Sequence, residues 1–259
     1  MVAAWKNASL RTPSYILLAG LAGTDFATGL ITQPLYAADN LANVDGEMQR
    51  VVTTARRTCS QYFAIVTEGT ITVMAVERWL HMSRRSLITV RTAYKIYALL
   101  LFVPSFYMLA RLWLLSINSF TEFWEPLLAG ILSAACVMTT SFSYYKVFKS
   151  IRHHQRQFHA HQSGGNIAQP TINLAKYKKS VHSVLYIMFL LVICYLPNIV
   201  CVSVLGLLKI RTESSLVALQ VSITLFYLSS SFNPRLYFWR MKEIRDQVKR
   251  LILKPLCRG

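Results

Sequence analysis

The chain has 259 residues, of which 54% are hydrophobic and only 15% charged, and it carries a formal net charge of +17. Apolar content on that scale excludes an ordinary soluble domain and points to an integral membrane protein. The basic excess does not make a nucleic-acid binder either, because the charges avoid the apolar segments and gather in particular loops, as membrane topology requires.

A membrane-spanning helix needs about 20 mostly apolar residues. Six stretches qualify, at 14–37, 53–80, 94–115, 124–147, 181–207 and 215–238. The fold class expected is therefore an all-α membrane bundle forming a single domain over 1–259. Met1–Ser14 has no apolar core region, so no cleavable signal peptide is expected. The head (Lys6, Arg11) is basic, and Asn7-Ala8-Ser9 is a glycosylation sequon in form only if that head is cytosolic.

The loops then alternate in charge. The loop at 38–50 carries Asp39, Asp45 and Glu47, the one after Trp79 carries Arg84, Arg85 and Arg91, and the one at 116–125 carries Glu122 and Glu125. Lys146–Lys179 holds seven Lys and Arg and no acid. By the positive-inside rule both termini face the cytosol. Within Lys146–Lys179 the stretch from Arg152 to Gln169, with His153, His154, His159, His161 and a Ser-Gly-Gly turn, reads as a mobile polar loop rather than a metal site.

Charged residues inside the spans mark function, because desolvating them is costly. Asp25 and Glu68 lie at mid-membrane depth, and Glu77-Arg78-Trp79 stands where its helix leaves the lipid on the basic side. Asp25, Thr67 and Asn233 lie at comparable depths on three helices. Either a monovalent cation or a protonated, hydrogen-bonded Asp25 would satisfy that carboxyl. Pro197, in Cys194-Tyr195-Leu196-Pro197, removes a backbone donor and kinks its helix, as a hinge or as a fixed bend. Asn233-Pro234-Arg235-Leu236-Tyr237 repeats the device behind a Ser229-Ser230-Ser231 ladder.

The tail over about 240–254 reads as an amphipathic helix on the membrane surface. Met241, Ile244, Val248, Leu251 and Ile252 fall on one face and Lys242, Arg245, Lys249 and Arg250 on the other. Cys257 beside it is a lipidation candidate. The other cysteines, Cys59, Cys136, Cys194 and Cys201, lie in or near apolar segments, and no disulfide framework is expected.

Taken together these motifs resemble the rhodopsin-like (class A) G-protein-coupled receptors over nearly the whole chain. Leu21-Ala22-Gly23-Thr24-Asp25 is similar to the family's second-helix motif. Glu77-Arg78-Trp79 is similar to its Asp/Glu-Arg-Tyr, Cys194-Tyr195-Leu196-Pro197 to its Cys-Trp-x-Pro, and Asn233 to Tyr237 to its Asn-Pro-x-x-Tyr. The resemblance implies a seven-span receptor bundle in which six spans are present, with the head resembling the first intracellular loop. Several family features are replaced: the outer-end cysteine is missing near Thr53, its partner in the 116–125 loop is also missing, and Cys136 stands near the place of a usual proline.

By the same resemblance Glu77 restrains Arg78 at rest, and Arg78, Trp79, Tyr144, Tyr195, Pro197, Asn233, Pro234 and Tyr237 form the activation switch that meets a heterotrimeric G protein. Asp25, Thr67, Ser230 and Asn233 match the family's sodium pocket, so an allosteric sodium ion is the sole cofactor implied. Position 177 is tyrosine, so no second acidic restraint on Arg78 is expected. The ligand pocket falls to Ser60, Gln61, Ala64, Asn198, Val202, Ile223 and Tyr227, with Tyr195 at its floor. Ser60 stands where amine receptors place an aspartate, and Tyr227 near where opsins place the retinal lysine, so neither an aminergic ligand nor retinal is expected. Arg56 and Arg57 at the outer mouth either greet an anionic ligand or snorkel to the interface.

The expected localisation is the plasma membrane, with lipid and a second receptor copy as further partners. A non-signalling six-helix partner of full-length receptors is the alternative. A transporter is disfavoured by the lack of repeated broken halves, and an enzyme by the lack of nucleophile–base or metal clusters.

Overall fold

The computed structural model describes residues 12–41, 46–83, 88–115, 121–162, 189, 192–205, 208 and 212–240, with side chains left undescribed at 114–127, 151, 154–162 and 233–240. Every regular element among them is helical. Helix α1 is Pro13–Ala27, continued through a π-helical turn at Thr28–Thr32 into α2, Gln33–Leu41. Then come α3 (Gly46–Met82), α4 (Val90–Leu115), α5 (Thr121–Gln162), α6 (Val192–Leu205) and α7 (Glu213–Arg240).

Thr12 precedes α1 in an extended conformation, and Pro13 occupies the first helical turn, where a missing N–H deprives no acceptor. The π turn has a covalent cause. Pro34 lacks the N–H that would bond the Leu30 carbonyl, and the wider turn just before it absorbs the disruption. Pro104 sits inside α4. The neighbouring Leu101 carbonyl accepts from Ser105 Oγ at 2.8 Å and from the Tyr62 hydroxyl at 3.2 Å.

Among the described residues, Pro13–Leu41, Val90–Trp113, Leu128–Ser150 and Glu213–Phe232 are long and apolar enough to cross a membrane. The described part of α6 is apolar but shorter. The long helix α3 does not qualify by composition, although a span is expected over its mostly apolar stretch at 53–80. The reason is its position: α3 packs against α1, α2, α4 and α5, so Arg56, Glu68, Glu77 and Arg78 are buried or half-buried against protein and the helix need not be apolar all round.

The opposite holds for α4, whose Phe102, Val103, Phe106, Leu109 and Trp113 are all exposed. A continuous face of large apolar side chains is what a lipid-facing helix presents. The interior is filled by Leu17, Leu18, Leu21, Met74, Cys194, Tyr195, Phe226 and Tyr227. Close approach is fixed at Gly20, where a Cβ would run into the Tyr97 ring; the Tyr97 hydroxyl donates to the Gly20 carbonyl at 2.9 Å.

One expectation needs correction. Helix α5 continues to Gln162, taking in the histidine-bearing stretch expected to be a loop. Nothing between Lys146 and Gln162 breaks a helix, and polar residues there are compatible with a helix that has left the lipid. Helix α3 begins at Gly46, ahead of the expected span at 53–80, and puts Gln49, Thr53 and Arg56 on one helical face. The head, the greater part of the 163–191 region, Tyr177, the tail helix at 240–254 (beyond Arg240) and Cys257 lie outside the described residues.

Candidate functional site

The inner end of α3 carries the charged pair that the sequence singled out. Glu77 is only 6% exposed, and its Oε2 accepts a 2.7 Å hydrogen bond from Ser14 Oγ at the start of α1. Arg78 Nε lies 3.9 Å from the same oxygen, close enough for ionic attraction and too far for a hydrogen bond. That Nε has no hydrogen-bond partner among the described residues. Tyr144, buried on α5, lies within electrostatic range of both charges. Trp79 packs edge-on against Phe142 of α5 at 6.0 Å, and Lys146 Nζ sits 5.2 Å from the centre of the same ring. The side chains of Asn233, Pro234 and Tyr237 lie outside the described residues, although their backbone continues α7.

Midway through the bundle, Asp25, Thr67 and Ser230 are all buried. Asp25 and Thr67 lie within interaction range of Tyr195, as do Ser229 and Glu68. Carboxylate and hydroxyl oxygens are the donor types that suit a hard monovalent cation, the chemistry the implied sodium would need. Ser229 is read from the sequence only as one member of a serine ladder; its closeness to Tyr195 depends on helix rotation, which the sequence does not specify.

Above this layer the expected ligand-pocket residues divide. Ser60 Oγ and the Tyr227 hydroxyl hydrogen-bond across from α3 to α7. Ala64 and Ile223 pack on the aromatic cluster of Tyr195, Phe226 and Tyr227, whose rings meet edge-on at 4.8 and 5.3 Å. Gln61 Oε1 and Asn198 Oδ1 are buried with no hydrogen-bond partner among the described residues. Val202 is 37% exposed. Pro197 is half-buried on α6.

At the outer mouth Arg56 is already occupied. Its Nε donates to Asp39 Oδ2 at 2.5 Å, with both side chains largely buried at 13% and 10% exposure. Thr53 Oγ1 donates to the other oxygen of Asp39, and Gln49 Nε2 donates to the Asp39 carbonyl at 3.1 Å. Arg56 also lies over the Tyr36 ring, which meets Tyr227 edge-on at 5.2 Å. The readings of Arg56 as an anion-greeting or a snorkelling residue both give way to an internal ion pair, whereas Arg57 is exposed. Sequence reasoning placed Asp39 in a loop; the π turn and Pro34 carry its helix on to Leu41 and bring it against α3.

A bundle of apolar helices with a buried carboxylate layer and a charged pair at one lip has the architecture of a membrane receptor. The chain belongs to the rhodopsin family of seven-transmembrane receptors, whose model matches residues 1–237. No curated protein matches the chain at a significant level.

Proposed function

We propose that this receptor sits in the plasma membrane, binds a ligand from outside the cell and activates a heterotrimeric G protein at the Glu77–Arg78 end of α3. The observation that carries this reading is the arrangement at that end. Glu77 is buried and held by Ser14, while Arg78 is attracted to it without a hydrogen bond. A guanidinium held this loosely is freed by a modest rearrangement, because among the described residues one contact and not a network must be broken.

In the resting packing Glu77 keeps Arg78 within the bundle. Ligand in the outer half favours a second packing in which α6 moves about Pro197, and Arg78 becomes available to the partner, flanked by Trp79, Tyr144 and Tyr237. A sodium ion held by Asp25, Thr67, Ser230 and Asn233 would neutralise the buried carboxylate and favour the resting packing. The outer pocket would meet its ligand through Ser60, Gln61, Ala64, Asn198, Ile223 and Tyr227. Gln61 Oε1 and Asn198 Oδ1, both buried without partners among the described residues, favour a ligand bearing hydrogen-bond donors. Tyr195 and Asn233–Pro234 connect the two layers.

The test is guanine-nucleotide exchange in membranes expressing the chain with a G-protein panel. Exchange above that of empty membranes, lost in Arg78→Ala at equal surface abundance, is the expected result. Exchange that survives the substitution removes the proposal.

A further inference from the structure

Glu68 takes no part in the switch, the cation layer or the outer pocket. Its carboxylate lies on α3 facing α5, where Ser133 Oγ donates to Oε2 at 2.7 Å. Oε1 receives no hydrogen bond from the described residues, and no described cation pairs with the group.

Glu68 also lines a cleft of about 490 Å³, including its open mouth, between α3, α5 and α6. The remaining walls are mostly apolar: Ile71, Val137, Val192 and Leu196 contribute hydrocarbon, and Cys136 and Tyr195 complete the lining. The two threonines satisfy each other: Thr72 Oγ1 donates to the Glu68 carbonyl at 2.8 Å and lies 3.0 Å from Thr140 Oγ1.

The cleft faces the lipid. Leu196 belongs to the row Ile193, Leu196, Val200 that is exposed along one side of α6. Toward the outer surface the α5–α6 seam is closed, since a Cβ on Gly130 would come within 2.8 Å of Ser203 Oγ. Along that seam a molecule reaches Glu68 sideways, from the hydrocarbon layer.

We propose that this cleft binds a membrane-partitioned primary amine with a linear apolar tail, its ammonium group seated on Glu68. A carboxylate at this depth with one neutral donor is best satisfied by a cation, and none comes from the described part of the chain. The slim apolar walls accept a hydrocarbon chain. The absence of an aspartate at Ser60 argues against an amine in the outer pocket and leaves this deeper site untouched. The proposal rests on the membrane-embedded bundle and not on signalling, so it stands or falls separately from the coupling test above.

The experiment uses the full chain in cell membranes and two photoreactive probes, dodecylamine and dodecanol, each carrying a diazirine in the chain. Labelled residues are located by mass spectrometry on α5 near Cys136 and Val137 and on α6 near Leu196. The amine should label these positions about tenfold more than the alcohol, the size expected for a charge-assisted hydrogen bond. Glu68→Gln should bring the amine down to the level of the alcohol, Glu68→Asp should retain the excess, and Leu196→Trp should exclude both probes. Labelling of the exposed face of α4 provides the reference for a correctly inserted bundle and should not change. Equal labelling by amine and alcohol in the unmodified chain, or an amine excess that survives Glu68→Gln, overturns the proposal.

Discussion

At its outer end α3 is held to α2 by one carboxylate that accepts from three successive turns: Asp39 takes hydrogen bonds from Gln49, Thr53 and Arg56. At its inner end α3 is held to α1 by the Ser14–Glu77 bond, with Arg78 3.9 Å from the same carboxylate. The same residue types thus build a clasp at one end and a catch at the other. The difference lies in redundancy. Losing one donor at Asp39 leaves two in place, whereas losing Ser14 leaves Glu77 with an ion pair too long to hydrogen-bond. A receptor needs its outer frame fixed so that ligand energy is not absorbed there, and its inner lip near balance so that the same energy can move it. The clasp also stands where the family's cysteine is replaced near Thr53, so polar contacts supply a tether at that end of α3.

The sharpest way to break the comparison is Asp39→Ala. Arg56 would be left largely buried and unpaired, which costs about 3–5 kcal/mol. We expect a marked fall in the melting temperature of the detergent-purified protein and in surface abundance; an unchanged melting temperature would mean the outer end is no more fixed than the inner one. Overfilling the helix contact at Gly20 tests the frame at mid-depth. Gly20→Leu would push against the Tyr97 ring and should destabilise by about 1–3 kcal/mol, read by the same melting curve.

Ser14→Ala acts on the catch and should lower the melting temperature less than Asp39→Ala does, its larger effect falling on the basal rate. Removing a hydrogen bond to a charged group, about 1.5–3 kcal/mol, should raise basal exchange by roughly tenfold or more if the bond is made only at rest. A basal rate equal to that of the unmodified chain would show that the bond persists in both packings. The smallest effect belongs to Tyr227→Phe, which removes the bond to Ser60 for about 0.5–1.5 kcal/mol. It should lower the melting temperature only slightly, and a loss as large as that of Asp39→Ala would relocate the clasp to α7.

Much of this was legible in the sequence because it follows from local rules. The apolar stretches, the proline positions, the charge alternation and the Glu77-Arg78-Trp79 end of a span are read from neighbours in the chain. Contacts that join distant residues were not. Ser133 lies 65 positions from Glu68 and Ser14 lies 63 from Glu77, and no periodicity links either pair. Asp39 was misread for a different reason: a run of acids next to a span end looks like a loop, and the π turn that keeps the helix intact beyond Pro34 has no simple sequence signature. Arg56 was accordingly left without its partner. The composition of α3 was misleading in the opposite sense, since its charges argue against a lipid-facing helix and in favour of one surrounded by others.

The measurement that bears most directly on the catch compares basal guanine-nucleotide exchange in membranes carrying the unmodified chain, Glu77→Gln and Arg78→Ala at matched surface abundance. Removing the charge of Glu77 should raise the basal rate, and removing Arg78 should lower it to that of empty membranes. A Glu77→Gln rate at or below that of the unmodified chain, or an Arg78→Ala rate that persists, would contradict the account.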